Sequence, residues 1–514
     1  MPWGWLDRQH ARMTPRRRWL IPVLACVALL AGCGGRGAVT GGADVPAENT
    51  VPLRVMTFNL EYGGTGVDPN SVPKAIKAAG ADVVAIEEGY GRLPEIAREV
   101  GWKYYDTRTQ LISRLPLLSP NSGPGDPVYV EVQPGKYMAV FDVHLDSTNY
   151  GPDATKRGMP AARVLAREHE RVAEITPIAA SAQELASRGV PTLVMGDFNS
   201  PSFQDWTEDT VGLRSHVIYP LRWPVTTILA NSGLTDLYRA QYPDPVADQG
   251  LTWPANRPFV AGYNPYRHGD PQDRIDMIWA GGPIEGKDVQ IVGEPGTSGV
   301  DIVVDPWPSD HRAVAASIEV QPAVIGPVIG TNTRLVEQGD DLEVRWSTGG
   351  APAGSVVLQS DPAVTTDVSG TWGSFSLGTD DVAPGTYSLV MKGSDGSELA
   401  ETQVTVVTPG SSPVLTTDKS TYRAGQPIKV TWSGAPGNKW DWVGIYRRNA
   451  DPNTASYLVW DYTGATVVGD TTLDGSTNAS VWPLKPGAYS VYLLIDDSYQ
   501  KVAQADFNVV APRG

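Results

Sequence analysis

Six short apolar runs between residues 51 and 320 each meet a carboxylate, an amide or an imidazole at or near one end. Asn59 closes "VMTFN", Glu87 and Glu88 close "DVVAIEE", and His144 closes "YMAVFDVH". Asp197 and Asn199 lie in "VMGDFNS", Asp276 lies in "RIDMIW", and Asp310 and His311 precede "RAVAASIEV". Core packing requires only the apolar part of each run, and turn chemistry alone would place more Ser, Gly and Pro at such ends. Ligand sites in layered α/β folds gather at strand ends, so these residues are expected in one cleft. Taken alone, "GDFN" also fits a turn. Asp197 and Asn199, two apart, share one face of an extended chain.

The segments between the runs include two expected helices. One covers about 70–79 and ends at Gly80 as a C-terminal cap. The other covers about 161–188, with Val164, Leu165, Val172, Ile175 and Leu185 as its apolar positions and a kink at Pro177. Strands mixed with helices over 51–320 predict an α/β (α+β) layered domain.

After residue 320 the helical patterns stop. "GDDLEVRWSTGG" at 339–350 returns as "GQPIKVTWSGAPG" at 425–437, and "PGTYSLVMKGSDG" at 384–396 returns as "PGAYSVYLLIDDS" at 486–498. Alternating strands bounded by turn residues predict two related all-β units, 321–410 and 411–514, of the immunoglobulin-like sandwich class. No cysteine is available for the disulfide typical of that class. The second unit adds "KWDWVGIYRR" and "YLVWDY". Their rings are read mainly as core, with a carbohydrate or protein contact as the alternative. The tail is expected to fold independently and to do no chemistry.

The first 33 residues read as a targeting segment. Arg16–Arg18 precede an apolar run from Trp19 to Ala31, too short to span a bilayer comfortably. It closes on "LAGC", which resembles a bacterial lipobox and implies cleavage before Cys33 and a lipid on its sulfur. The expected location is the outer face of a bacterial membrane. Residues 34–50 read as a flexible tether. Cys26 and Cys33 are the only cysteines, so the mature chain is expected to lack disulfides. A net charge of −16 argues against a dedicated nucleic-acid binder.

Carboxylates and amides supply hard oxygen ligands, which suit Mg²⁺, Mn²⁺ or Ca²⁺. A zinc-type His pair is absent from the sequence. Histidines beside acidic residues point to acid/base or phosphate-stabilising work. Together these are the groups needed to hydrolyse a phosphate ester.

In order, "TFNL", "DVVAIEE", "LISRLPLL", "FDVHLDS", "GDFNS", "RIDMIW" and "SDHRAV" resemble the motif series of the endonuclease/exonuclease/phosphatase superfamily. The resemblance covers about 51–320 and implies the deoxyribonuclease I-like four-layered α/β sandwich, with divalent-metal-dependent hydrolysis of phosphate esters. It implies Asn59 and Glu88 as metal anchors, with Asp310 for a second ion. Glu87 stands where the family usually has Gln. It further implies that Asp197 handles the attacking water and Asn199 holds the phosphate. His144 and His311 would stabilise charge or protonate the leaving group, and Asp276 would orient His311. Arg114 is a candidate for a phosphate oxygen. His169 and His216 are read as surface or loop residues without a role. A phosphodiester is expected, and the substrate stays open among a compact phosphorylated metabolite, a phosphoinositide, DNA or RNA, and a phospholipid head group as in sphingomyelinases. Outside the enzyme class, the alternative is an inactive surface scaffold or adhesion lipoprotein.

Overall fold

A computed structural model describes residues 49–120, 125–476 and 481–511. The targeting segment, Cys33 and nearly all of the tether lie outside the described residues. No helix among the described residues is long and apolar enough to cross a membrane.

Val51–Asn59 lies within a seven-stranded sheet, parallel to Val83–Glu87 and antiparallel to Ala313–Val320. A second, six-stranded sheet is built around Lys136–His144, which runs parallel to Thr192–Asp197; that strand in turn pairs antiparallel with Asp276–Gly281. The two sheets face each other across buried Val55, Val83 and Leu111 on one side and Val140, Leu193, Met195 and Ile278 on the other. Helices Ser71–Ala79 and Leu93–Val100 cover the first sheet, pressing Val72, Ile76 and Ile96 onto Phe58, Val84 and Ile86. Helices His169–Ser187 and Pro224–Asn231 cover the second, where Ile175, Ala182 and Leu229 meet Phe141, Val194 and Trp279. The layer order is helix, sheet, sheet, helix. Central strands are thus buried on both faces, which is why they read as unbroken apolar runs. Each fully buried Val, Leu or Ile contributes about 1.5–3 kcal/mol.

Ser71–Ala79 ends on Gly80 at φ 66°, as its sequence predicts. The second expected helix differs. It breaks into Ala161–Leu165, a 3-10 turn at Ala166–Glu168, and His169–Ser187, and Pro177 sits inside the last of these. The tight turn carries Glu168 inward to a buried pair with Arg171, and Ser200 donates to the same carboxylate at 2.8 Å. Ile175 and Ile178, on either side of Pro177, pack onto the sheet and hold the helix continuous.

From Pro327 onward the described residues form strands and turns only. Pro327–Val407 forms a three-stranded and a five-stranded sheet, and Val414–Val510 repeats both with the same strand order. In each unit the core lies between the two sheets: Val344, Trp346, Val356 and Leu389 in the first, and Val430, Trp432, Val443 and Val491 in the second.

The tail also makes specific contacts with the α/β domain. Arg345 pairs with Glu131 at 3.4 Å, and Pro120 bridges to Gly330. Lys439 of the last unit reaches into the α/β domain, where its ammonium donates to the Asp142 carbonyl at 2.9 Å and carboxylate at 3.1 Å. Asp496 accepts from the Gly91 amide at 2.7 Å and from Gln110 Nε2 at 2.8 Å. The tail folds back onto the domain whose strand ends carry the polar residues.

Candidate active site

Strand register assembles the site. His144 and Asp197 are partners across parallel strands, and Asp197 and Asp276 are partners across antiparallel ones. Three neighbouring strands therefore end on an imidazole and two carboxylates, all buried. Gly196, at φ 146°, makes this approach possible, because a Cβ there would overlap the Val143 carbonyl. Asn59, from the other sheet, closes the gap by donating to Asp197 Oδ2 at 3.0 Å.

His311 enters from the loop before Ala313–Val320. Its Nδ1 lies 3.2 and 3.1 Å from the two Asp276 oxygens, and its Nε2 lies 3.8 Å from Asp197 Oδ2 and 3.9 Å from Asp310 Oδ1. His144 Nε2 lies 3.6 Å from Asp197 Oδ2. Asn199, at φ 46°, gives its backbone N–H to Asp197 Oδ1 at 2.8 Å and its amide to the Leu145 carbonyl at 3.0 Å. The "GDFN" segment is thus both a turn and part of the cluster, with Asp197 bonded into its own loop.

The electrostatics follow from crowding. Burial, relieved in part by His311 and worsened by Asp276, pushes Asp197 up to about 7. Burial opposes a charge on His311, yet the carboxylates of Asp276, Asp197 and Asp310 outweigh it and raise the imidazole well above its usual value. Asp310 is also raised, by burial and by Glu88, against the pull of His311. Such clustering of shifted groups is typical of reactive sites.

Glu88 is half-buried at φ 54° and accepts the Tyr62 N–H at 3.1 Å. Glu87 is fully buried and points elsewhere, accepting from Thr57 at 2.8 Å. Burial, with Asp142 beside it, raises Glu87 well above the carboxylate range. The adjacent glutamates are divided between two environments, as opposite faces of a strand require. The donor set fits a hard divalent cation. The ligand atoms that converge are those of Asp197, Asp276 and His311, within 4.8 Å of one another, with Asp310 Oδ1 3.9 Å from His311 Nε2. Asn59 Oδ1, one of the expected ligands, accepts the Glu61 N–H at 3.1 Å. A dication there would offset the carboxylate crowding that raises Asp197 and Asp310.

Arg114 is not part of this group. Its exposed side chain pairs with Asp82 at 2.6 Å, at the opposite end of Val83–Glu87 from Glu88. His169 is exposed, whereas His216 is buried and bonds Asp273 at 2.8 Å, where it supports the loop before Asp276. Several contributors carry no sequence signal. Glu61 pairs bidentately with Arg257 and accepts the Asp310 N–H at 2.9 Å. Trp253 Nε1 donates to Asp310 Oδ2 at 3.2 Å, and its ring lies 6.1 Å from that of His311. Tyr150 packs edge-on to Trp253 at 5.3 Å, and its buried hydroxyl has no partner among the described residues. Burial, then Asp273 and Asp197, raise that phenol, so it remains a proton donor. Trp440, from the tail, stands edge-on to His144 at 6.2 Å.

Residues 56–311 match the Endonuclease/Exonuclease/phosphatase family. An uncharacterized protein of Caenorhabditis elegans is 30% identical over 290 residues, spanning 51% of this chain and 90% of that one. The chain belongs to the endonuclease/exonuclease/phosphatase family, whose members hydrolyse phosphoester bonds and generally use divalent metals. Similar solved structures include an endonuclease/exonuclease/phosphatase from Beutenbergia cavernae, at 17% identity, 69% of this chain, 99% of that chain and a TM-score of 0.32. A mannosyl-6-phosphatase from Bacteroides thetaiotaomicron matches at 14% identity, 52% of this chain, 99% of that chain and a TM-score of 0.31. An AP endonuclease from Archaeoglobus fulgidus matches at 13% identity, 51% of this chain, 98% of that chain and a TM-score of 0.33.

Proposed function

We propose that the protein is a divalent-metal-dependent phosphodiesterase acting outside the cytoplasm. The observation that carries the reading is the His144, Asp197 and Asp276 register, faced by His311 from one side and Asn59 from the other. Asn59, Glu88 and Asp310 would hold the ion, Mg²⁺ before Mn²⁺ or Ca²⁺, which supplies charge neutralisation at the phosphate. Asp197 would position the attacking water and accept its proton. Asn199 would hold a phosphate oxygen. The His311 imidazolium, oriented by Asp276, would give its Nε2 proton to developing negative charge, with His144 on the other side of Asp197.

A diester is favoured over a long nucleic acid because the chain is acidic, at −16, and Arg114 lies outside the cleft. The lipobox supports export and a lipid on Cys33, and the paired three- and five-stranded sheets support immunoglobulin-like sandwiches. An inactive scaffold is disfavoured by the intact Asp276–His311 contact. The test is hydrolysis of bis-p-nitrophenyl phosphate, DNA, sphingomyelin and phosphoinositides with and without divalent metal. Activity on a diester that EDTA abolishes and Mg²⁺ or Mn²⁺ restores is expected. Full activity in excess chelator overturns the scheme.

A further inference from the structure

Beside Glu88 a cleft opens between the α/β domain and the last β unit. It is small, with about 30 Å³ open to the centre of a water-sized sphere, which is room for one compact group. The tail supplies most of its wall. Trp442 meets Tyr457, Trp460 and Tyr499 edge-on, with centroids 5.6, 6.3 and 5.9 Å apart and interplanar angles of 76–84°. Rings set at right angles make a box rather than a flat platform, so they suit a compact group more than a stacked sugar ring. Trp442 and Trp460 are only 5% and 7% exposed, and the buried Trp460 Nε1 has no hydrogen-bond partner among the described residues.

The remaining lining sets the charge. Glu88 and Asp497 supply carboxylates, and among the described residues no Lys, Arg or His lines the cleft. Aromatic faces with negative quadrupoles plus carboxylates, in a desolvated box, attract an organic cation and repel an anion. Glu88, Tyr90 and Asp497 hold φ of 54°, 50° and 58°, a left-handed backbone that non-glycine residues adopt at a cost and that clusters at ligand clamps. An aromatic chain leads back to the reacting groups: Trp460 meets Tyr462 at 5.0 Å, Tyr462 meets Trp440 at 5.2 Å, and Trp440 meets His144.

We propose that this cleft is a binding site for an alkylated ammonium group, built by the tail, and that it selects phosphodiesters carrying such a group. Capture of the cation stands on the cleft alone; only the claim that hydrolysis follows rests on the phosphodiesterase reading. Glu88 marks the junction, since it lines the cleft and stands among the carboxylates expected to hold metal. A substrate with its phosphate on the ion and its ammonium in the box would span the two.

Calorimetric titration of the full chain, without divalent metal, separates the claims. Tetramethylammonium should bind saturably, and 3,3-dimethylbutanol, which carries the same alkyl shape without the charge, should bind at least about tenfold more weakly. Trp460→Phe should weaken tetramethylammonium, and Tyr499→Leu, at a half-buried position, should do so in a chain with unchanged circular dichroism. Equal binding of the neutral isostere, no binding of the cation, or no effect of Tyr499→Leu overturns the proposal. Saturable binding without turnover of any diester would leave the cleft standing and defeat the phosphodiesterase reading instead. With Mg²⁺ present, turnover of a soluble glycerophosphodiester of choline, or of its diacyl form in vesicles, supports the selection and distinguishes a small metabolite from a lipid source. Faster turnover of bis-p-nitrophenyl phosphate than of both, unaffected by Tyr499→Leu, overturns it.

Discussion

Asp276 holds the Nδ1 side of His311 with both carboxylate oxygens, at 3.2 and 3.1 Å. This fixes the orientation of the ring, favours its protonated form and leaves Nε2 directed toward Asp197. Asp276→Asn should therefore cost roughly 10²–10⁴ in kcat/KM, by analogy with loss of the orienting carboxylate in the serine-protease triad. His311→Ala should cost a similar amount, and the double variant little more, because the pair acts as a unit. Additive losses would show that the two act separately.

Lys439 is the buried counter-ion of Asp142, which lies two residues before His144 on its strand. Lys439→Met should destabilise the protein by about 3–5 kcal/mol, because it leaves a buried carboxylate unpaired. Adding Asp142→Asn should restore much of that loss. Thermal unfolding of the two variants checks the pairing. For the same reason a chain ending at residue 320 should be less stable and less active than the full chain, with bis-p-nitrophenyl phosphate as the readout.

Asp496 sits at the junction of tail and α/β domain, and burial pushes it up to about 8, despite its bond from the Gly91 amide. A carboxylate raised in the folded state favours folding while protonated. Its stabilising contribution is complete below the unfolded value of about 4 and is lost as pH rises to about 8, by up to about 1.4 kcal/mol per pH unit. Asp496→Asn should flatten that decline in denaturant midpoints measured from pH 4 to 8. The amide can be received, because the buried Gln110 Oε1 has no partner among the described residues. An unchanged pH slope would exclude Asp496 as its source.

Gly196→Ala should be among the most damaging single-methyl changes in the chain. The added carbon meets backbone rather than a movable side chain, and the strands carrying His144 and Asp197 would have to part. Loss of soluble protein, or activity reduced by more than about 10²-fold with a lowered Tm, is expected. Wild-type stability and turnover would show that the strands can spread freely.

Much of the fold and most of the cluster were legible because strand order and register are local in sequence. Asn59, His144, Asp197, Asp276 and His311 each sit beside an apolar run of recognisable length, and the tail repeats announced their matching sheets. Arg114 was misread because an arginine next to a strand carries no sign of which end of the sheet it occupies. Glu61–Arg257 and Asp142–Lys439 were invisible because partners 196 and 297 residues apart leave no spacing pattern. The break at Ala166–Glu168 was hidden for a related reason: a buried ion pair, not proline, decides where that helix bends.

The Asp142–Lys439 contact also governs when the site can be completed. Synthesis runs from the amino terminus, so a growing chain that already carries everything from Asn59 to His311 still lacks the lysine that neutralises Asp142 and the tryptophan that abuts His144. Closing a loop of 297 residues is slow compared with forming local strands. The cleft therefore takes its finished form only once the last unit, with Lys439 and Trp440, has been made and has docked.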